Sequence, residues 1–303
     1  MERVAIPPSR SPASPPPAGA CDCHTHIFGQ PSAYPVAHPP HYLLPDADAK
    51  RHRQMLDETG LSRAVLVQPA PYGDDCGAII EAIAEAPATL RGIGTAFAGT
   101  GQDHLAALKA AGIVGLRFVH LDLPGGTNRF PGAAGLEDLH DLAPAMAGIG
   151  LHVQLWCDAA TFAEHRPALA QLGLPIVLEH MARFDSAAGV TGTAFEAVLA
   201  ALAEGEVWVK LALCRASQQV PDYPDIRPFH DALVAANPQR LLWASDWPHV
   251  RLDEARPDVG HLLDLFAEWT GQDAALAQRI LVHNPADLYG FDSPSRQTQG
   301  LGQ

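Results

Sequence analysis

Lysine is nearly absent from this 303-residue chain: Lys50, Lys109 and Lys210 stand among 20 basic residues, leaving 17 Arg. Basic residues are also outnumbered by 34 acidic ones, for a formal net charge of -14. That balance excludes an extended nucleic-acid surface, which needs an excess of positive charge. It leaves room for an anionic small molecule, because a few arginines can gather in one pocket. Five cysteines (Cys21, Cys23, Cys76, Cys157, Cys214) give no even disulfide framework, so a reducing, cytoplasmic setting is expected. The Cys21/Cys23 spacing is not that of a metal or redox pair, and both are read as small residues on the outer face of a strand. No apolar run is long enough to span a bilayer, so no membrane partner is expected. The first 19 residues are rich in Pro and Ser, lack an apolar signal-peptide core, and read as a disordered arm.

Beyond the arm, short β-rich runs alternate with Ala/Leu-rich stretches. Strands are expected near 20–27, 63–69, 91–97, 114–118, 152–157, 175–180, 207–213 and 241–246. Helices are expected between them, several stopped by Gly112, Gly150 or Gly173, and further helical stretches near 258–270 and 273–283. Eight strand–helix units predict a single-domain α/β fold, a (β/α)8 TIM barrel over 20–291 with a C-terminal tail at 292–303. An open doubly wound sheet is the alternative, but the glycine fingerprint expected after its first strand is missing. A G-x-S-x-G serine elbow is missing too.

In a barrel, chemistry gathers at the C-terminal ends of the strands. Simple alternation along Asp22-Cys23-His24-Thr25-His26 places His24 and His26 on one face with Asp22. His180 ends PIVLEH in phase with Ile176 and Leu178, and Asp246 ends LLWASD in phase with Leu242 and Ala244. Three strand ends thus bring ionisable groups to one mouth, and such groups are poor packing material. Arg117, with Gly115 on its face, and Arg215, directly after its strand, are expected to hold anionic groups; Arg129 lies in the long loop after Arg117. The competing reading is internal Arg–Asp pairing, with Asp122, Asp222 or Asp225 as partners. Gln68 ends the second strand and either touches substrate or satisfies its neighbours. Trp247 is expected to wall the site, His41 to be solvated, and His152 to be structural at the barrel's bottom.

The segments C-D-C-H-T-H, L-E-H-M-A-R-F-D, W-A-S-D-W-P-H and the closing H-N-P-A-D-L-Y-G-F resemble the amidohydrolase superfamily, amidohydrolase-2 type. Within it they are most similar to the lactonase branch of 2-pyrone-4,6-dicarboxylate lactonases and related sulfolactone hydrolases, from about residue 20 to 291. The resemblance implies hydrolysis of a carboxylated lactone in aromatic-compound or sugar-acid catabolism, with Tyr42 and His249 joining Arg117 and Arg215 at the substrate, and Arg129 after allowance for a longer loop. Trp156 stands near where that branch carries a Tyr, and Pro69-Ala70-Pro71-Tyr72 lacks an expected small hydroxyl residue. Two mechanisms are open. In one, His24, His26 and His180 polarise the lactone carbonyl and Asp246 activates water, with no cofactor. In the other, the same four residues bind one Zn²⁺, as in a metal-dependent hydrolase or decarboxylase. The first is favoured. A non-catalytic binding barrel is disfavoured, because every member of the His/Asp set is present at a strand end, and a homo-oligomer is a further expectation.

Overall fold

A computed structural model describes residues 3–40, 42–121, 126–217 and 219–292. His41, Asp122 and residues 293–303 of the expected tail lie outside the described residues. Eight parallel strands run in sequence around a barrel: β1 (Cys21–Thr25), β2 (Arg63–Val67), β3 (Leu90–Gly94), β4 (Ile113–His120), β5 (His152–Cys157), β6 (Ile176–Leu178), β7 (Val207–Leu211) and β8 (Leu241–Trp243). The seam between β8 and β1 is joined where Asp246 N donates to His24 O (3.0 Å) and His26 N donates to Trp247 O (2.8 Å). This near-closure removes the open-sheet alternative.

A helix follows each strand: α1 (Ala49–Thr59), α2 (Gly77–Glu85), α3 (Gln102–Ala110), α4 (Leu136–Ile149), α5 (Ala159–Ala170), α6 (Thr193–Ala203), α7 (Arg227–Ala236) and α8 (Val259–Trp269). Side chains of Asp48 and Asp158 accept from the backbone N–H of Arg51 and Thr161 and start α1 and α5. Gly150 closes α4 at φ 76°, a left-handed position that costs other residues energy.

Strands such as RAVLV and VWVKL are buried on both faces, which explains their nearly unbroken apolar character. Outward residues, among them Leu66, Leu116, Ile176 and Leu178, pack under the helices. Inward residues Val65, Val67, Ile93, Val177 and Leu242 form a lumen layer, plugged from below by Tyr289 at the end of the last helix and by Phe291 just beyond it. Cys21 and Cys23, expected on the outer face, belong to this lumen layer instead.

The N-terminal arm departs from expectation. Val4–Ala5 pairs in parallel with Pro45–Asp46, Arg3 donates to Phe28 O (3.1 Å), Ser9 N donates to Glu58 (2.8 Å), and Arg10 bridges to Asp264 (2.6 Å). Composition without periodicity reads as disorder, but these anchors are tertiary and leave no local pattern. Among the described residues no helix is long and apolar enough to cross a membrane.

Burial also sets an acid sensitivity. His52 and His152 are buried and held down to about pKa 3, first by loss of water and then by nearby cations. Between pH 6.5 and about 3 only the unfolded chain takes up these protons, so their contribution to stability is full above pH 6.5 and falls with pH. Each loses on the order of 1 kcal/mol per pH unit. Asp22, raised by burial to about 6, opposes them as pH falls through 6, but it is one group against two. The melting temperature is therefore expected to be lower at pH 5 than at pH 7, with proton uptake on unfolding; calorimetry showing an equal or higher value at pH 5 would contradict this account.

Candidate active site

The mouth is built where strands stop being regular. Pairing of β1 with β2 shifts register between Asp22 and Thr25. Simple alternation is broken there: Cys21 and Cys23 stay in the lumen layer, yet His24 and His26 also point inward. Asp22 leaves that face. It accepts from Ser245 N (3.0 Å) and His24 N (3.1 Å), fastening β1 to the end of β8.

His26 Nδ1 faces Val67 O at 2.7 Å. A carbonyl only accepts, so this nitrogen carries the proton and Nε2 presents a lone pair. That lone pair lies 3.1 Å from His24 Nε2 and 3.5 Å from Asp246 Oδ1. Behind His24, Lys210 Nζ stands 3.0 Å from Nδ1 and also contacts Gln154 Oε1. Burial lowers the Lys210 ammonium to about 8, which leaves it mainly charged at neutral pH. As an ammonium it donates to His24 Nδ1, so His24 carries its proton on Nε2. Burial, reinforced by the Lys210 charge, keeps His24 neutral.

His180 reaches the mouth by a different route from the one its phase implies. Ile176 and Leu178 face the helices, and Glu179 takes the inward direction. The chain then turns through left-handed φ values at His180 (51°), Met181, Ala182 and Arg183. This swings the His180 ring to 4.8 Å from that of His24 and 5.1 Å from that of Trp156. Burial lowers its pKa to about 3.

Asp246, also left-handed at φ 64°, presents Oδ1 to both histidines and receives Arg215 Nε at Oδ2, 2.6 Å away. Burial alone would raise this carboxyl; the Arg215 guanidinium more than offsets it and holds it well below the usual carboxylate range. Glu179 was not singled out from the sequence. It is fully buried, accepts from Arg117 Nε (3.0 Å) and Nη2 (2.8 Å), and lies 3.4 Å from His24 Nδ1. Its one signal was an acid inside an otherwise apolar strand end.

A cavity of about 510 Å³ opens above this cluster, with His26, His180 and Asp246 on its floor and Tyr42, Trp156 and Arg117 among its walls. His24 sits behind His26. Arg117 and Arg215 border the cavity, yet each has an internal carboxylate, Glu179 and Asp246. The internal-pair reading thus holds with different partners: Asp222 meets His261 (2.9 Å) and Asp225 accepts from Ser217 Oγ (2.6 Å). Arg129 borders the cavity but is held by Asp138 and Glu137, both at 2.6 Å.

Gln68 and His249 are not brought to the cavity. Gln68 donates to the carbonyls of Gly73 (3.1 Å) and Asp75 (2.7 Å), tying its own loop. His249 is buried with Nε2 3.1 Å from Ser245 O. Trp247 packs against His52 on the outer side, and Phe130 with Trp156 supplies the aromatic wall instead.

His24, His180 and Asp246 also satisfy the atom types and spacing for one divalent ion, with donor atoms within 4.8 Å of one another, and His26 Nε2 borders the group. When bound, such an ion would polarise a carbonyl and acidify a water. Two cations, Lys210 and Arg215, already press on this donor set and oppose a dication.

A parallel barrel with histidines and an aspartate at the C-terminal mouth, below an arginine-bordered cavity, defines a class of barrel hydrolases. The family comparison agrees: the amidohydrolase family matches residues 21–291, and the chain belongs to that family. It is 33% identical over 282 residues to a 4-sulfomuconolactone hydrolase of Rhizobium radiobacter, covering 90% of this chain and 91% of the relative. It is 31% identical over 283 residues to a 2-pyrone-4,6-dicarboxylate hydrolase of Comamonas testosteroni, covering 90% of each. An apo crystal structure from Agrobacterium tumefaciens superposes with a TM-score of 0.81 at 25% identity, covering 94% of this chain and 99% of that one.

Proposed function

We propose that the protein opens a carboxylated lactone to its acid by attack of water, as the names of its two lactone-hydrolysing relatives encourage. The observation that carries this reading is the floor of the cavity. There Asp246 Oδ1 presents an acceptor 3.5 Å from His26 Nε2, whose lone pair is taken by the His24 Nε2–H, beside the neutral His180. One water can donate to Asp246 Oδ1 and aim its lone pair at a carbonyl carbon above. His180 Nδ1 is buried without a hydrogen-bond partner among the described residues, which leaves His180 able to polarise that carbonyl. His24, oriented by Lys210, supports the same charge through His26. Asp246 takes the water proton, and the ring C–O bond then breaks with that proton passing to the leaving oxygen.

Asp246 is a weak base while Arg215 holds it. A substrate carboxylate that draws the Arg215 guanidinium away removes that lowering influence and raises the basicity of Asp246 where it is needed. Arg117, anchored to Glu179 through Nε and Nη2, has Nη1 left for a substrate oxygen. Tyr42 and Trp156 close over the ring.

The test is a panel of mono- and dicarboxylated lactones followed by proton release. Acidification on ring opening supports the reading, whereas CO2 release without it would shift the assignment to decarboxylation. Turnover is expected to survive exhaustive chelation unchanged. Loss of activity on chelation, restored by Zn²⁺, would replace the metal-free site with the mononuclear one that the donor spacing allows.

A further inference from the structure

Four arginines border the cavity, and three are already neutralised. Arg117 is paired with Glu179, Arg129 with Asp138 and Glu137, and Arg215 with Asp246. Arg251 is different. Among the described residues it makes no ion pair, and its guanidinium carbon lies 5.3 Å from the centre of the Phe130 ring. Phe130 leans on Trp156 at 5.3 Å, and Trp156 meets the His180 ring at 5.1 Å. An aromatic wall therefore runs from the cavity floor to a cation at the rim.

The backbone that delivers Arg251 is also unusual. Asp246, His249 and Arg251 are all left-handed, at φ 64°, 62° and 66°. None is glycine, so each is held there at a conformational cost that surrounding contacts must offset. One strained loop thus sets both the floor carboxylate and the rim cation. Arg251 and Tyr42 border the same cavity.

We propose that Arg251 is a specificity-determining residue: its guanidinium, laid on Phe130, receives a second anionic group of the substrate, distal to the reacting carbonyl. A carboxylate or a sulfonate satisfies this position, because both offer paired oxygens to the guanidinium fork. The identity of the reacting ring rests on the lactonase reading above, but the anion contact does not.

Binding of inert planar anions separates the two. Calorimetry is run with benzoate, isophthalate and 3-sulfobenzoate on the intact protein. The wild type is expected to bind at least one of the dianions about tenfold more tightly than benzoate. Arg251→Met should bring that preference below about twofold, and Arg251→Lys should keep part of it. The dianion that shows the larger loss identifies the preferred group. Thermal melting of both variants should match the wild type, since the side chain is exposed. Absence of a dianion preference in the wild type, or its persistence in Arg251→Met, overturns the proposal. A protein that binds dianions in this way yet opens no lactone overturns the proposed function alone.

Discussion

Replacing Asp246 with Asn is expected to lower kcat by about 10³-fold, the middle of the range for losing a general base. The substitution keeps the shape of the side chain and removes two things: the basic oxygen 3.5 Å from His26 Nε2 that can take a proton, and the anion that holds Arg215 at 2.6 Å. The second loss gives the prediction its signature. Among the described residues a released guanidinium keeps only Val250 O as a partner, and it is free to meet a substrate carboxylate. Binding of a carboxylated lactone or its open product should therefore be maintained or tightened while turnover collapses. Single-turnover rates and equilibrium binding, measured separately, check both halves. A variant within tenfold of the wild-type rate would remove Asp246 from proton transfer. Weakened carboxylate binding would show that Arg215 serves only as its clamp.

The largest effect on stability is expected at Glu179. Its carboxylate is fully buried and faces Arg117, Lys210 and His24. Loss of water favours its neutral form, but Arg117 and Lys210 more than compensate and keep it ionised. Glu179→Gln leaves two buried cations facing an amide. Breaking such a network from one side costs about 3–5 kcal/mol, or roughly 10 °C in melting temperature for a chain of this size. Removing a cation as well should recover part of the loss, so Glu179→Gln with Lys210→Met is expected to melt above Glu179→Gln alone. Denaturant titration of the wild type, Glu179→Gln, Lys210→Met and the double variant measures the coupling directly. Additive losses would mean that Glu179 and Lys210 do not share one electrostatic network. Lys210→Met by itself should also slow turnover, because His24 loses the donor that sets its tautomer.

The two substitutions separate what could be read in the chain from what could not. His24, His26 and Asp246 were visible because polar residues at the end of an apolar strand stand out against a period-two pattern. The barrel was visible for the same reason, with left-handed glycines such as Gly112, Gly150 and Gly173 marking where helices stop. Glu179 was hidden beside His180. The pattern assigned the inward direction to His180, whereas the left-handed turn lets Glu179 occupy the lumen and His180 arrive from the side. Gln68 and His249 had the right residue type at the right end of the barrel, yet local carbonyls claim their polar groups.

Sequence alone therefore determined the eight-unit architecture and the histidines and aspartate that gather at one mouth of the barrel, where we propose the chemistry. These follow from local periodicity and from the residues a strand end can present. Tertiary structure decided the pairing. Arg117 with Glu179 and Arg215 with Asp246 join residues far apart in the chain, and the proline-rich arm is ordered only by the barrel beneath it. Ion-pair choice depends on distances across the lumen. Those distances are set by a register shift in β1 and by left-handed turns after β6 and β8, at which side chains change face without any change in their spacing along the chain.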